Sequence, residues 1–436
     1  MEKTEANPYP HNHIRLLADR WAKTHPGYRV EFVKAPPVSA QYRAWCVSNF
    51  VGETIPDIIY QNMGVYRDSD FQKGWVLKMD PFLEKPNPYV EGNTRWLDLF
   101  YEPWIDAMRS LDGNCYWVSP DTVGVGLLYS KSILAESGVE KPPETFGELM
   151  EACRKVREAG YLAYYTQAEW YSNCVVPSVI WADLIPEMDV NGNRIVNQPE
   201  MARAIEKGIF KVDGDRFREF LRLFYELTRN YPKGHSLTRA YQHAFKKGQI
   251  AFMEGLSVHM RKIEDDPLRD FAFGVIPFPE ITKEDSRYGG APLAGKGNAG
   301  YTSTWQITYV AEKRGVLDAC VDWLMFLTAP ENAEFLVNEL GFTLPGVKGA
   351  NPVPLFQALH ERATKEIERA EYLDWHAFNP FTYTVEFGDQ WGRVMQSLIL
   401  DAIDIDEAVR RTDFWLERSH KRYMRKFGEQ WGADSW

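Results

Sequence analysis

The chain has 436 residues, 44% of them hydrophobic and 25% charged, which is ordinary for a soluble globular protein and long for one hydrophobic core, so two lobes or domains are expected. A formal net charge of -11, with no basic cluster or RNA-binding motif, argues against a nucleic-acid or anionic-membrane surface. No apolar run is long enough to span a bilayer, residues 1–7 are polar with no signal-peptide core, and the five cysteines are scattered without a C-x-x-C pair, so neither a disulfide framework nor a zinc site is implied.

In chain order, residues 12–25 read as a helix with Ile14, Leu17, Ala18 and Trp21 along one face, stopped by Pro26 and Gly27. Residues 29–33 (RVEFV) alternate like a strand. Residues 41–51 read as a second helix, and 56–60 as a short apolar strand ending in Gln61, Asn62 and Met63. Helix, strand, helix, strand at this spacing predicts a parallel sheet with helical crossovers, in which ligands bind beyond the carboxyl ends of the strands. Gln61 and Asn62 are placed either to reach a ligand or to cap the next turn. Residues 89–109, rich in aromatics, read as helical.

The apolar run 123–129 reads as a strand with Gly124 and Gly126 inside it. Asp121, after Pro120, is expected to be exposed at the strand's mouth, as a ligand contact or a turn cap. A short helix over 132–137 ends at Gly138, and Pro142 and Pro143 hold the chain extended. Thr145 and Glu148 make a T-x-x-E capping box for a helix that Gly160 closes. Residues 161–165 read as a strand. In the loop after it, Glu169, Trp170 and Tyr171 set acid, indole and phenol side by side, as a sugar platform or as the start of the next helix's buried face.

Asp189 to Asn193 with Glu200 imitates a calcium loop, but its sixth position, which needs glycine, is Arg194. Asn191-Gly192 reads instead as a hairpin turn, and Asn197 begins a helix with Pro199 in its first turn. Residues 215–231 form a strongly amphipathic helix, 239–247 another, 250–253 a strand and 271–278 an alternating strand. Gly290 to Lys296 fits G-x-x-x-x-G-K, yet Gly297 follows and neither a strand before nor a helix after frames it, which excludes a nucleotide loop. Residues 305–310 alternate as a strand, 317–327 and 330–340 read as helices with Gly341 closing the second, and the tail is helical over 355–369, 387–400 and 406–427.

Three blocks in this order carry a resemblance. The first has Pro120, the apolar strand, Tyr129-Ser130-Lys131, Gly138-Val139, Pro142-Pro143 and Thr145-Phe146 with Glu148-Leu149. The second is Phe245 to Gly255, and the third is Phe326-Leu327-Thr328-Ala329-Pro330-Glu331-Asn332-Ala333 leading to Gly341-Phe342. Together they resemble the extracellular solute-binding proteins, family 1, of sugar-importing ABC transporters, the maltose-binding-protein-like group, over residues 12–427. Ser130 and Phe146 depart mildly from the family's letters, and Ser257 and Val258 stand where it has a stacking tryptophan. The family's apolar strand ahead of the first helix has no counterpart in residues 1–11, which implies an irregular strand or a late start.

The resemblance implies an α/β, two-lobed periplasmic-binding-protein-like fold with three hinge crossings. One lobe takes 1–123 and 301–345, the other 124–300 and 346–436. It implies a monomer outside the cytoplasm that binds a carbohydrate between the lobes and passes it to ABC permease subunits, with no cofactor and no catalysis. Gln61, Asn62, Asp121, Glu169, Trp170, Tyr171, Glu254, His259, Trp305, Trp375 and Trp391 are the candidate ligand contacts. Arg43 and Arg67 keep an acidic sugar open. The runner-up is a glycan-acting hydrolase drawing paired carboxylates from Asp121, Glu169 and Glu254, although nothing in their spacing singles out two of them. Strands at 55–60, 123–129, 250–253, 271–278 and 305–310 speak against a helical interaction protein.

Overall fold

The computed structural model describes residues 13–36, 40–62, 70–101, 104–106, 109–110, 112–166, 169, 171–232, 241–267, 269–291, 303–368 and 377–429. The chain folds as two units, 1–124 with 299–360 and 125–298 with 361–436. It passes from one to the other at 124/125, 298/299 and 360/361. The last of these lies beyond the 345/346 break read from the sequence, because residues after 345 still pair inside the first unit, Val347 with Phe100 and the Lys348 N–H with the Leu99 carbonyl.

The first unit opens with α1 (His13–Thr24), which buries Leu17, Ala18 and Trp21. Gly27, at φ +104°, turns the chain out of it. After α2 (Ala40–Val51) comes β1 (Ile58–Asn62). Tyr42, Cys46 and Phe50 of α2 pack on Ile55, Ile59, Val76 and Val310 to make a core. Among the described residues of 89–109, where a long helix is expected, a 3-10 helix forms at Trp96–Leu99 and residues 104–106 are helical. Gly92, at φ +75°, breaks helical geometry there. β2 (Asp121–Thr122) ends this segment.

The second unit begins with β3 (Val125–Ser130) and α3 (Lys131–Glu136), whose N-cap hydroxyl is Ser130. α4 (Phe146–Glu158) is capped by Thr145, whose hydroxyl accepts the Glu148 N–H at 3.2 Å. Glu148 reaches back to the Glu144 N–H at 2.7 Å, so the box closes one residue earlier than the T-x-x-E pattern implies. β4 (Leu162–Tyr165) follows, and then α5 (Gln198–Glu206), with a full Asn197–Glu200 capping box. No hairpin forms at Asn191-Gly192. Asp189 accepts the Asn193 and Arg194 N–H groups, and Glu200 accepts those of Val190, Asn191 and Asn197, so local acids satisfy a loop backbone. α6 (Asp215–Thr228) buries Phe217, Phe220, Leu221, Phe224 and Leu227 along one face. β5 (Ile250–Leu256), α7 (Ser257–Glu264) and β6 (Phe273–Ile276) complete this stretch.

Back in the first unit, β7 (Ser303–Ile307) precedes α8 (Leu317–Leu327) and α9 (Pro330–Leu340). Pro330 starts α9 and Gly341, at φ +68°, closes it. β8 (Leu344–Pro345) and α10 (Gln357–Glu368) follow, and α11 (Val385–Ile399) and α12 (Ile405–Phe427) end the second unit.

The sheets are not the all-parallel arrangement expected from the helix–strand alternation. In the first unit β1 pairs antiparallel with β7, Ile58 facing Ile307 and Asn62 facing Ser303, and β2 pairs antiparallel with β8. In the second unit the order is β4-β5-β3-β6, and only β4 and β5 run parallel. Residues 29–33, expected as a strand, belong to no sheet among the described residues.

Gly255 on β5 lies where a Cβ would come within 2.5 Å of the Leu128 side chain, which is fully buried. Gly255→Ala is therefore expected to destabilise the second unit by about 1–3 kcal/mol. A shift in the urea midpoint measures this, and an unchanged midpoint would show that β3 can yield.

Candidate functional site

The second unit gathers two acids at the ends of neighbouring strands. β4 and β5 run parallel, so their carboxyl ends lie side by side, with Tyr165 facing Met253. Glu254, one residue on, is 1% exposed. Its Oε1 accepts the Tyr164 hydroxyl at 2.7 Å, and its Oε2 accepts the Tyr171 backbone N–H at 3.3 Å. Glu169 stands in the loop after β4 with a left-handed φ of +52°. Its Oε2 accepts the Tyr231 hydroxyl at 2.6 Å and the Ser172 hydroxyl at 3.0 Å. The rings of Tyr164 and Tyr231 stack at 5.8 Å, so one phenol serves each acid from a shared stack. A π-helical turn, Tyr171–Val175, begins immediately after the loop, and the Asn173 N–H returns to the Glu169 carbonyl at 2.7 Å.

The electrostatics follow from this closeness. Burial, and then the charge of Glu254, push the Glu169 carboxyl up to about 8, against the donations of Tyr231 and Ser172. Burial, with the neighbouring glutamates, holds the hydroxyls of Tyr164 and Tyr231 well above the usual phenol range, so both stay donors. At neutral pH the Glu169 carboxyl keeps its proton, while Glu254 has both oxygens taken by Tyr164 and Tyr171, so Glu169 is the acid of the pair suited to meet a ligand hydroxyl.

In the first unit, Tyr60 of β1 and Trp305 of β7 face each other in the register and meet edge to face at 5.6 Å. Burial, and then the charge of Asp121, push the Tyr60 hydroxyl up to about 12. Gln61 and Asn62 pair through β1 with Thr304 and Ser303. The Trp305 indole N–H and both side-chain polar atoms of Gln306 are buried without a hydrogen-bond partner among the described residues.

The structure gathers Glu169, Tyr171, Glu254 and His259 in one unit and Tyr60, Asp121 and Trp305 in the other. Several expectations change. Asp121 is fully buried rather than exposed, because β2 is held against β8 and Ser119 caps its carbonyl at 2.7 Å. Tyr171 follows the buried alternative. Its ring packs near Phe146 and Phe278, and its hydroxyl donates to the Pro279 carbonyl at 2.8 Å. Trp391 is 2% exposed and lies flat on Phe381 at 4.0 Å, with its N–H on Asn173, so no face is left for a ligand. His259 accepts the Leu256 N–H at the start of α7, and burial, then Lys262, lowers its basicity. Arg43 is bound by both oxygens of buried Asp70, at 2.8 and 2.6 Å. Trp170, Trp375 and Arg67 lie outside the described residues. Sequence reasoning missed Tyr60, Tyr164, Tyr231 and Ser172. Tyr231 sits far along the chain from Glu169, and no spacing links them.

Among the described residues no group of three or more His, Cys, Asp or Glu side chains could hold a metal ion. A family model described as bacterial extracellular solute-binding protein matches residues 17–364. Among solved structures, a family 1 extracellular solute-binding protein from Bifidobacterium longum subsp. infantis is similar at 18% identity and a TM-score of 0.69, covering 94% of this chain and 97% of that one. A cyclic alpha-maltosyl-1,6-maltose binding protein from Arthrobacter globiformis is similar at 17% identity and a TM-score of 0.66, covering 94% and 96%. A probable secreted solute-binding lipoprotein from Streptomyces coelicolor is similar at 14% identity and a TM-score of 0.65, covering 93% and 95%. These likenesses show the fold.

Two outcomes are expected. The folded state holds the Glu169 proton more tightly than the unfolded chain, whose carboxyl titrates near about 4.3. The stability this contributes is whole below that value and is lost as the pH rises through about 8. Denaturant midpoints measured from pH 5 to 9 should therefore fall more steeply for the wild type than for Glu169→Gln, and parallel profiles would contradict the shift. Trp391→Ala should cost about 3–5 kcal/mol of stability, as for a truncated core ring, read from urea unfolding.

Proposed function

Because the chain belongs to the bacterial extracellular solute-binding proteins, we propose that it binds a sugar or oligosaccharide, as a monomer, and delivers it to the permease of an ABC importer. The observation that carries this reading is the family match over residues 17–364. The acid–tyrosine group around Glu169 and Glu254 supports it, since paired donors and acceptors on a rigid frame are what hydroxyl recognition requires. The similar Arthrobacter globiformis protein is a binding protein for cyclic alpha-maltosyl-1,6-maltose, which supports a carbohydrate for this chain as well. The family is extracellular, and no helix among the described residues is long and apolar enough to cross a membrane.

In this reading Glu169 meets sugar hydroxyls and Trp170 supplies a stacking face. A hydrolase would need two acids free to act on a glycosidic bond, and Glu254 already has both oxygens engaged by Tyr164 and Tyr171.

Isothermal titration against a panel of neutral oligosaccharides tests the proposal, with saturable binding and no product expected. Glu169→Ala should weaken the best ligand about tenfold, by the loss of one hydrogen bond and the stranding of its partner. Trp170→Ala should cost roughly 0.5–1.5 kcal/mol beyond burial. If no glycan in the panel binds, the sugar assignment falls, and product in the cell would revive the hydrolase.

A further inference from the structure

The two acids of the second unit use their oxygens differently. Glu254 has both engaged, Oε1 by the Tyr164 hydroxyl and Oε2 by the Tyr171 N–H. At Glu169 the Tyr231 and Ser172 hydroxyls both come to Oε2, at 2.6 and 3.0 Å. The Glu169 Oε1 has no hydrogen-bond partner among the described residues, and the residue is only half-buried. Nor does a hydrogen bond join the two carboxyls there, so they do not share a proton.

These contacts decide which oxygen carries the Glu169 proton. A protonated carboxyl has one O–H donor and keeps its acceptor capacity on the other oxygen. Two hydroxyls converge on Oε2. Burial, with the two glutamates, holds the Tyr231 phenol well above its usual range, so it donates rather than ionises. Oε2 is therefore the acceptor, and the proton stands on Oε1. The groups acting on this carboxyl are Glu254 of β5, Tyr231 beyond α6 and Ser172 of the π-helical turn, while Tyr164 of β4 holds Glu254 and stacks on Tyr231. Among the described residues no Lys, Arg or His acts on it, so nothing positive offsets Glu254.

We propose that Glu169 meets its ligand as a hydrogen-bond donor, through Oε1, and so selects sugars that present an oxygen acceptor at this point over sugars that present an ammonium group. This rests on the reading of the acid–tyrosine group as a carbohydrate site. An amide carbonyl, an ether or a hydroxyl oxygen takes the O–H as it stands. An ammonium group has only donors, so it requires the Glu169 proton to leave first. At pH 6 that departure is disfavoured about a hundredfold. The acceptor-bearing ligand binds the protonated form, so its affinity is whole at low pH and is lost as the pH rises through about 8.

Isothermal titration of the full chain from pH 6 to 9 tests this, with maltotriose, the N-acetylated chitin trisaccharide and its free-amine counterpart as probes. The two amine-free glycans should bind about tenfold more weakly at pH 9 than at pH 6. Binding of the N-acetylated probe alone would place an amide carbonyl at Oε1, and binding of maltotriose alone a hydroxyl or ether oxygen. Glu169→Gln, whose amide donates at every pH, should flatten the profile. A profile that still falls in this variant assigns the pH dependence to another group and overturns the proposal. So does an amine-free glycan whose affinity stays level or rises towards pH 9, or a free-amine probe that binds more tightly than its N-acetylated form at pH 6, because Glu169 then acts as a carboxylate. If none of the probes binds at any pH, the carbohydrate reading of the site falls, and this inference with it.

Discussion

The first unit depends on the antiparallel pairing of β1 with β7. The two strands belong to chain segments separated by the whole internal stretch of the second unit. Loop-closure cost grows only slowly with length, so such an excursion is tolerated once the pairing and its core are formed. The pairing is reinforced on its far side, where Trp305 and Val118 exchange backbone hydrogen bonds at 2.9 and 3.1 Å. It also fixes which side chains meet. Gln61 comes opposite Thr304 and Tyr60 opposite Trp305.

The second unit solves a different problem, that of keeping two carboxylates close together under cover. Both cannot carry full charge there at low cost, so one keeps its proton and each is held by its own tyrosine. The left-handed backbone at Glu169 is the local expense of aiming that acid, and the π-helical turn after it recovers the loop's hydrogen bonding.

Helix ends were the most legible part of the sequence. Asn197 with Pro199, Pro330 at the start and Gly341 at the end of one helix, and Thr145 with Glu148 each act within one turn of a helix end, and the structure forms all of these ends, the last with its box moved by one residue. Amphipathic helices such as Asp215–Thr228 were equally plain, because a repeated apolar face has one way to be buried. The candidate site was legible only in part. Glu169 and Glu254 were visible as acids after strands, but their tyrosine partners come from other elements and left no local signal.

The sequence by itself determined the local elements, the order of the three family blocks and hence the solute-binding family. Tertiary structure decided the rest: that Trp391 and Tyr171 fill the core, that Asp121 is covered, that the sheets are mostly antiparallel, and that the strand-like stretch 29–33 joins no sheet among the described residues. The physical reason is range. Caps, turns and helical periodicity are settled among residues a few positions apart, whereas burial and strand pairing depend on what distant segments bring to the same place.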